Sequence, residues 1–312
     1  MIGKDYTVHV LVVALVVLLA AGPFMPKWLF MLTMSMGKGL VVLGLIILLR
    51  TGLVSFGQGL YYCVGAYTVG SLGQFLGWKN ALVLLAGGTA AAAVLAIILG
   101  FLLANYRSIF FAMLSLAFSM ILFGLLVKTS ALGSTDGFNV PAPTLFGKAI
   151  SGAGHQYPLF ALGCVVAFIA ALLTNAYLRT ALGRLSPAIR DNEIRVEYMG
   201  ASVRNAIHTK YVIAGALAGL GGALTAMTIG HIDPEMAYWT TSGEFVFVAI
   251  LGGTGSVIAP FLGAIVFEII RTYAYRYSPN TWQMALGSAM LLVIVFLPAG
   301  LWSAFAYRSR RG

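Results

Sequence analysis

Charge is scarce in this sequence. Only 9% of the 312 residues are charged, and acids are the rarer sign, with nine Asp and Glu against 19 Lys and Arg. Soluble domains carry about 25% charged residues. With 60% of the chain hydrophobic, a water-soluble core of this size cannot enclose the apolar remainder. Cysteine is nearly absent. Cys63 and Cys164 both lie in apolar stretches, which excludes a disulfide framework or a cysteine zinc site and leaves two buried thiols. No phosphate-cradling G-x-x-x-x-G-K-[ST] is present, nor G-x-S-x-G or H-E-x-x-H. The chain is therefore expected to bind no ATP or other cofactor itself, and no catalytic cluster supports a membrane-embedded enzyme. A net charge of +10 would point a soluble protein toward nucleic acid. Here the cations sit at the ends of apolar runs, so they read as topology signals, with membrane lipid and not nucleic acid as the surrounding partner.

What is abundant is long apolar sequence. Runs occupy 8–22, 28–49, 51–77, 81–104, 109–128, 157–178, 206–230, 243–270 and 282–307. Several exceed the roughly 18 residues that suggest a spanning helix. The expected fold is all-α, a polytopic membrane helical bundle of roughly 8–10 segments in one transmembrane domain over 1–312. Residues 8–22 have the look of a signal-peptide core. No A-x-A-like site follows, and Pro23 and Pro26 interrupt the run, so it is read as a retained first span.

Placing 179–210 in the cytoplasm and alternating outward puts Lys4, Arg50, Arg107, Arg204, Lys210 and the tail arginines Arg308, Arg310 and Arg311 on the same side. The other side receives Lys27, Lys79, Lys128, Lys148, Arg271 and Arg276. The excess is about twofold, which predicts cytoplasmic N- and C-termini. An even number of crossings must then separate 179–210 from the tail. The runs 206–230 and 282–307 supply two, so 243–270 must enter and leave on the outer side. It is too short for two spans of about 20 residues each, which predicts a re-entrant hairpin of two short helices turning near GGTGS, 252–256. Residues 130–156, with GSTDGFNVPAP, read as ordered turns on the outer face.

The longest polar stretch is 183–202, GRLSPAIRDNEIRVEYMGAS. It predicts a short amphipathic helix outside the bilayer over about 186–200. Ser186 would cap it, Pro187 would take the first position, and Gly200 would stop it. Ile189, Val196 and Met199 fall near one face, Asp191 and Arg195 form an i,i+4 pair, and Arg190 and Glu193 are i,i+3 neighbours that could clamp each other or reach across an interface. Two readings stand: a ridge that docks on a partner, or a solvated loop helix.

Within the apolar runs, 55–67, SFGQGLYYCVGAY, mixes glycine with polar and aromatic residues. Glycine lets helices approach or break, while Ser55, Gln58 and Tyr67 can bond across helices or to a solute; tight packing and a solute pathway both remain open. Lys38 interrupts 28–49 and is read first as half of a structural ion pair. Glu268 and Arg271 suit an i,i+3 pair. His231, Asp233 and Glu235 alternate in an outer loop with no diagnostic metal spacing, so no metal site is expected.

Taken in order, GLVSFGQGLYYCVGAYT, FFAMLSLAFSMILFGL with GSTDGF, GRLSPAIRDNEIRVEYMG, GEFVFVAILGGTGSVIAPFLGA and WQMALGSAMLLVIVFLPAGL cover most of the chain. Together they resemble the LivM-type permease family of branched-chain amino-acid ABC importers. The resemblance implies a bacterial inner-membrane permease subunit forming half of a translocation pathway. It implies a second related permease subunit, two ATP-binding subunits that use ATP and Mg, and an extracytoplasmic solute-binding protein. It places ATPase coupling on Ala188, Arg190, Asp191, Glu193, Val196, Met199 and Gly200, and the pathway along Ser55, Gly57, Gln58, Gly65, Tyr67, Gly252, Gly253 and Gly255. The same permease type also serves importers of urea, short amides and aromatic acids. A secondary transporter coupled to H⁺ or Na⁺ is the rival from another class, and there Lys38 would be the ionisable group at midplane.

Overall fold

Pro23 and Pro26 fall in the first positions of two 3-10 turns, Gly22–Phe24 and Pro26–Trp28, which end the first apolar run and start the second. The computed structural model describes residues 7–145, 147–150, 156–277, 281–296 and 300–303. Among these, twelve α-helices follow in order: α1 (Thr7–Ala21), α2 (Leu29–Leu49), α3 (Gln58–Phe75), α4 (Ala81–Leu103), α5 (Ser108–Lys128), α6 (Gln156–Arg179), α7 (Ala181–Asp191), α8 (Glu193–Tyr198), α9 (Val203–Ile229), α10 (Trp239–Gly252), α11 (Ala259–Tyr277) and α12 (Trp282–Phe296). Six of them, α1, α2, α4, α5, α6 and α9, are long and apolar enough to cross a membrane. The all-α polytopic bundle expected from the sequence is what the chain forms. Four two-residue strands lie between helices: β1 (Phe138–Asn139), β2 (Thr144–Leu145), β3 (Lys148–Ala149) and β4 (His231–Ile232). β2 pairs with β3 and β1 with β4, both antiparallel, so the described part of 130–156 is tied to the chain that follows α9.

The core is α2 against α9. α2 is apolar on all sides and is buried almost from end to end, as a helix with no polar face must be. α9 touches three neighbours through small residues. A Cβ on Gly215 would lie 2.6 Å from the Cβ of Ala96 in α4, and one on Gly221 would lie 2.8 Å from Cγ2 of Val41 in α2. Gly222 packs directly on the Tyr62 carbonyl in α3. In lipid, where no hydrophobic force drives helices together, such close backbone approach supplies the packing. α1 lies at the periphery, with Leu11 its one buried residue.

The run 243–270 breaks near GGTGS, where the sequence places a turn. The structure forms two helices over a longer stretch, α10 from Trp239 and α11 to Tyr277, joined by a break at 253–258. Arg50, just past the end of α2, donates Nε to the Thr254 carbonyl at 2.9 Å. The turn therefore sits level with the end of α2 rather than midway along it. α11 continues past the apolar window through Arg271, which lies beside Glu244 and Glu268. Backbone leaves α-helical form at mid-depth elsewhere, with a 3-10 turn at Pro234–Ala237. The stretches 53–57 and 233–238 both lie beside the middle of α5, at Ser115 and Ser119.

Candidate functional site

The two mid-depth stretches end where helices begin. Residues 53–57 lead into α3, and 233–238 lead into α10. Ser115 Oγ accepts from Phe56 N–H at 3.2 Å, Ser55 Oγ from Gly57 N–H at 3.2 Å, and Ser242 Oγ from Gly59 N–H at 3.0 Å. Ser119 Oγ donates to the Ala237 carbonyl at 2.7 Å. Gly57 is required by closeness, since a Cβ there would lie 2.8 Å from the Ser115 carbonyl oxygen. Gln58 opens α3 fully buried, and neither its amide oxygen nor its nitrogen has a hydrogen-bond partner. First-turn N–H groups lack helical partners and carry partial positive charge. Two such helix starts, lined by hydroxyls at mid-depth, meet here, and Ser55, Gln58, Ser115, Ser119 and Ser242 are all buried.

A second polar group lies between α2 and the α10–α11 pair. Lys38 Nζ donates to Glu244 Oε2 at 3.0 Å and lies 2.7 Å from Glu268 Oε1 and 4.8 Å from the Phe267 ring centre. Arg271 closes the set, 3.6 Å from Glu244 and 3.9 Å from Glu268. Two cations thus meet two carboxylates. The structural pairing expected for Lys38 and the Glu268–Arg271 pair are both present. Glu244 was missed, although it and Glu268 are the only carboxylates in the apolar runs, and a lysine inside a membrane must find one.

The polar helix is two helices. Thr180 caps α7 by accepting from Gly183 N–H, so Ser186 and Pro187 lie inside the helix and not at its start. Asn192 is extended and caps α8 by accepting from Arg195 N–H. Gly200, at φ +84°, ends α8 in the left-handed region, as its position in the sequence predicts. The break at Asn192 resets the helical phase, which separates Asp191 from Arg195 and divides the expected ridge. Ile189 and Val196 face the chain's own core, whereas Met199 is exposed together with Ile194 and Tyr198. Glu193 does not clamp Arg190. Arg107, before α5, donates Nε to both carboxylate oxygens of Glu193, at 2.7 and 2.8 Å. Arg190 instead packs over Gly52. Ala188, Arg190 and Asp191 are exposed.

Residues 28–295 match the family described as the branched-chain amino acid transport system / permease component. The chain belongs to this family. It is 31% identical to the high-affinity branched-chain amino acid transport system permease protein LivM of Escherichia coli K12, over 96% of this chain and 76% of that one. It is 25% identical to LivH of the same organism, over 80% of this chain and 85% of the other. The autoinducer 2 import system permease protein LsrC of Klebsiella pneumoniae is 30% identical over 46% of this chain and 44% of its own length. No solved structure matches. Six spanning-length apolar helices and these relatives make the chain a multi-pass membrane permease.

In this permease the pathway residues read from sequence occupy three places. Ser55, Gly57 and Gln58 line the mid-depth start of α3. Gly65 packs against α9, where it faces the Gly219 backbone, and Tyr67 lies further along α3 with its ring edge-on to Phe138 at 5.7 Å. Gly252, Gly253 and Gly255 stand at the α10–α11 break, next to the α7 face. The structure does not bring these groups into one lining. Serines 115 and 119 of α5 and Ser242 of α10 join Gln58 instead, and sequence spacing gave no sign of them because both helices are far from Gln58 along the chain. Among the described residues no three His, Cys, Asp or Glu converge as metal ligands, and His231 Nδ1 lies 3.0 Å from Asn139 Oδ1.

Proposed function

We propose that this permease carries a branched-chain aliphatic amino acid inward as half of an ABC importer. The family match over 28–295 carries the reading, supported by the 31% identical LivM relative. The mid-depth starts of α3 and α10 suit the solute's carboxylate. The hydroxyls of Ser115, Ser55 and Ser242 hold N–H groups that the carboxylate takes as they turn away, and the Gln58 amide adds a donor and an acceptor.

The chain forms one permease domain, paired with a second related permease subunit. Two separate ATP-binding subunits supply ATP and Mg chemistry, since this chain carries no phosphate loop. An extracytoplasmic binding protein delivers the solute. α7 and α8 make the coupling surface. Its exposed residues include Ala188, Arg190, Asp191, Ile194, Tyr198 and Met199, while Val196 and Glu193 hold the surface on the bundle. The protein lies in the bacterial inner membrane with the α7 face in the cytoplasm. The Lys and Arg excess on that side supports this orientation, and the tail arginines that contribute to it lie outside the described residues.

The test is reconstitution of the permease with its neighbouring permease, ATPase and binding-protein genes in vesicles. ATP-dependent uptake of labelled leucine, competed by isoleucine and valine, is the expected result. Uptake driven by a proton or sodium gradient without ATP refutes it. The LsrC relative supports a second solute, so failure of leucine uptake with uptake of autoinducer 2 would keep the importer and replace the cargo.

A further inference from the structure

Arg107, just before α5, donates Nε to both carboxylate oxygens of Glu193 in α8, at 2.7 and 2.8 Å. Its Nη1 donates to the Ala104 carbonyl at 2.6 Å and to the Tyr106 carbonyl at 2.9 Å, at the end of α4. Ser108, the first residue of α5, stands at φ +49°, in the left-handed region where a side chain is strained. α8 is therefore tied to a strained joint between α4 and α5. Beyond that joint α5 is lightly held. Its buried residues are Phe111, Ser115, Ser119 and Leu126, a single stripe, while Phe110, Met113, Ile121 and Leu125 are exposed. In that stripe Ser115 accepts from the Phe56 N–H and Ser119 donates to the Ala237 carbonyl, so one helix holds both mid-depth stretches. We infer, on the import reading above, that α5 is the lever that carries a displacement of α8 to the starts of α3 and α10. Arg107 is a positioning residue at its joint, and Ser115 and Ser119 form its working end.

Helix α5 has the stiffness for this. Between Ser108 and Ser119 it contains no glycine or proline, the residues at which helices usually kink. Motion at Arg107 thus reaches Ser119, about 18 Å away at 1.5 Å per residue, as rigid-body motion. Little travel is needed. The Ser115–Phe56 bond is already 3.2 Å long, and at about 3.6 Å it ceases to be a hydrogen bond. Helix shifts of about 1–2 Å are ordinary in switching proteins. Such a slide frees one backbone donor, the Phe56 N–H, and one acceptor, the Ala237 carbonyl, from serines one turn apart. A donor for a carboxylate and an acceptor for an ammonium, released together, match a zwitterionic amino acid. α2 and α9 are poor levers, since glycine contacts interlock their backbones. α7 reaches the same region through Arg190 over Gly52, a packing contact that can push but not pull, whereas the charged Arg107–Glu193 bonds resist both.

The experiment is a distance measurement by pulsed electron resonance on the assembled importer in nanodiscs, purified through a tag on the ATPase so that every molecule read carries one. Spin labels go on Met113→Cys of α5 and Ile229→Cys at the end of α9, both exposed positions, while the native Cys63 and Cys164 are buried. Between the nucleotide-free and the vanadate-trapped importer, the distance in the otherwise unchanged permease should shift by about 2 Å. Arg107→Ala and Glu193→Ala should each abolish that shift while ATP turnover persists. The double variant should do no more than either, because both act through one contact. A role confined to holding α8 on the bundle would leave the shift intact in complexes that retain their ATPase. No shift in an unchanged importer that turns over ATP overturns the lever and leaves the importer standing. An equal shift with and without Arg107→Ala also overturns it and gives the coupling to α7 at Gly52. A permease that takes up no ATPase ends both readings.

Discussion

Replacing Lys38 by Met tests the buried charge set most directly. Met keeps the length and apolar stem and removes the cation. Glu268, 2.7 Å from Nζ, and Glu244, at 3.0 Å, then face only Arg271. Arg271 is farther from each, at 3.6 and 3.9 Å, and its side chain is 37% exposed, so it cannot replace Lys38 for both carboxylates. Removing one partner of a buried pair costs about 3–5 kcal/mol, because the leftover charge is stranded. Lys38→Met should lower the unfolding free energy by that amount. Adding Glu268→Gln leaves Glu244 and Arg271 as a single neutral pair and should return about 2 kcal/mol, within the range of coupling energies between contacting residues. Denaturant unfolding of the purified permease in mixed micelles, followed by tryptophan fluorescence, measures both. If Lys38→Met stays within about 0.5 kcal/mol of wild type, or the double variant is less stable than the single one, the set is not a buried ion network.

Further outcomes follow from the backbone and the coupling face. Gly253 has φ +87° and ψ 163°, a region reserved for glycine, so Gly253→Val should cost about 1–3 kcal/mol and sharply reduce vesicle uptake. Gly243→Ala, with nothing near its Cβ, is the matched control; Gly37→Ala is not, because its Cβ would lie 2.5 Å from Thr225 Oγ1. Equal uptake by Gly253→Val and Gly243→Ala would remove the special role of the turn. The Arg107–Glu193 pair is partly exposed and worth about 0–1 kcal/mol, so Glu193→Ala should leave folding intact but loosen α8 and lower ATPase co-purification, and Arg107→Ala should match it. A normal Arg107→Ala beside a defective Glu193→Ala would place Glu193 in direct contact with the ATPase instead. Tyr198→Ala, at the most exposed aromatic of the coupling surface, should weaken that co-purification more than either. The permease purified alone should show no ATP turnover above background, and reproducible turnover would contradict a separate ATPase.

Composition and run length by themselves determined a helical membrane protein, because in lipid the backbone must satisfy its own hydrogen bonds and a helix of about 20 apolar residues does so alone. The ordered motifs from 52 to 301 led to the family, and Gly200 marked the end of α8. Local signals failed where the answer depended on partners far along the chain. Ser186 and Pro187 look like a helix start, yet Thr180 starts it earlier and Ser186 is buried on the bundle. Residues 243–270 predict two short helices and a turn, yet not their ends: α11 runs on to Tyr277, past Glu268 and Arg271, whose partners Lys38 and Glu244 lie on other helices. Ser115, Ser119 and Ser242 are unremarkable letters in apolar runs. Only tertiary packing sets them around the starts of α3 and α10, since it decides which backbone N–H groups are left for a side chain to hold.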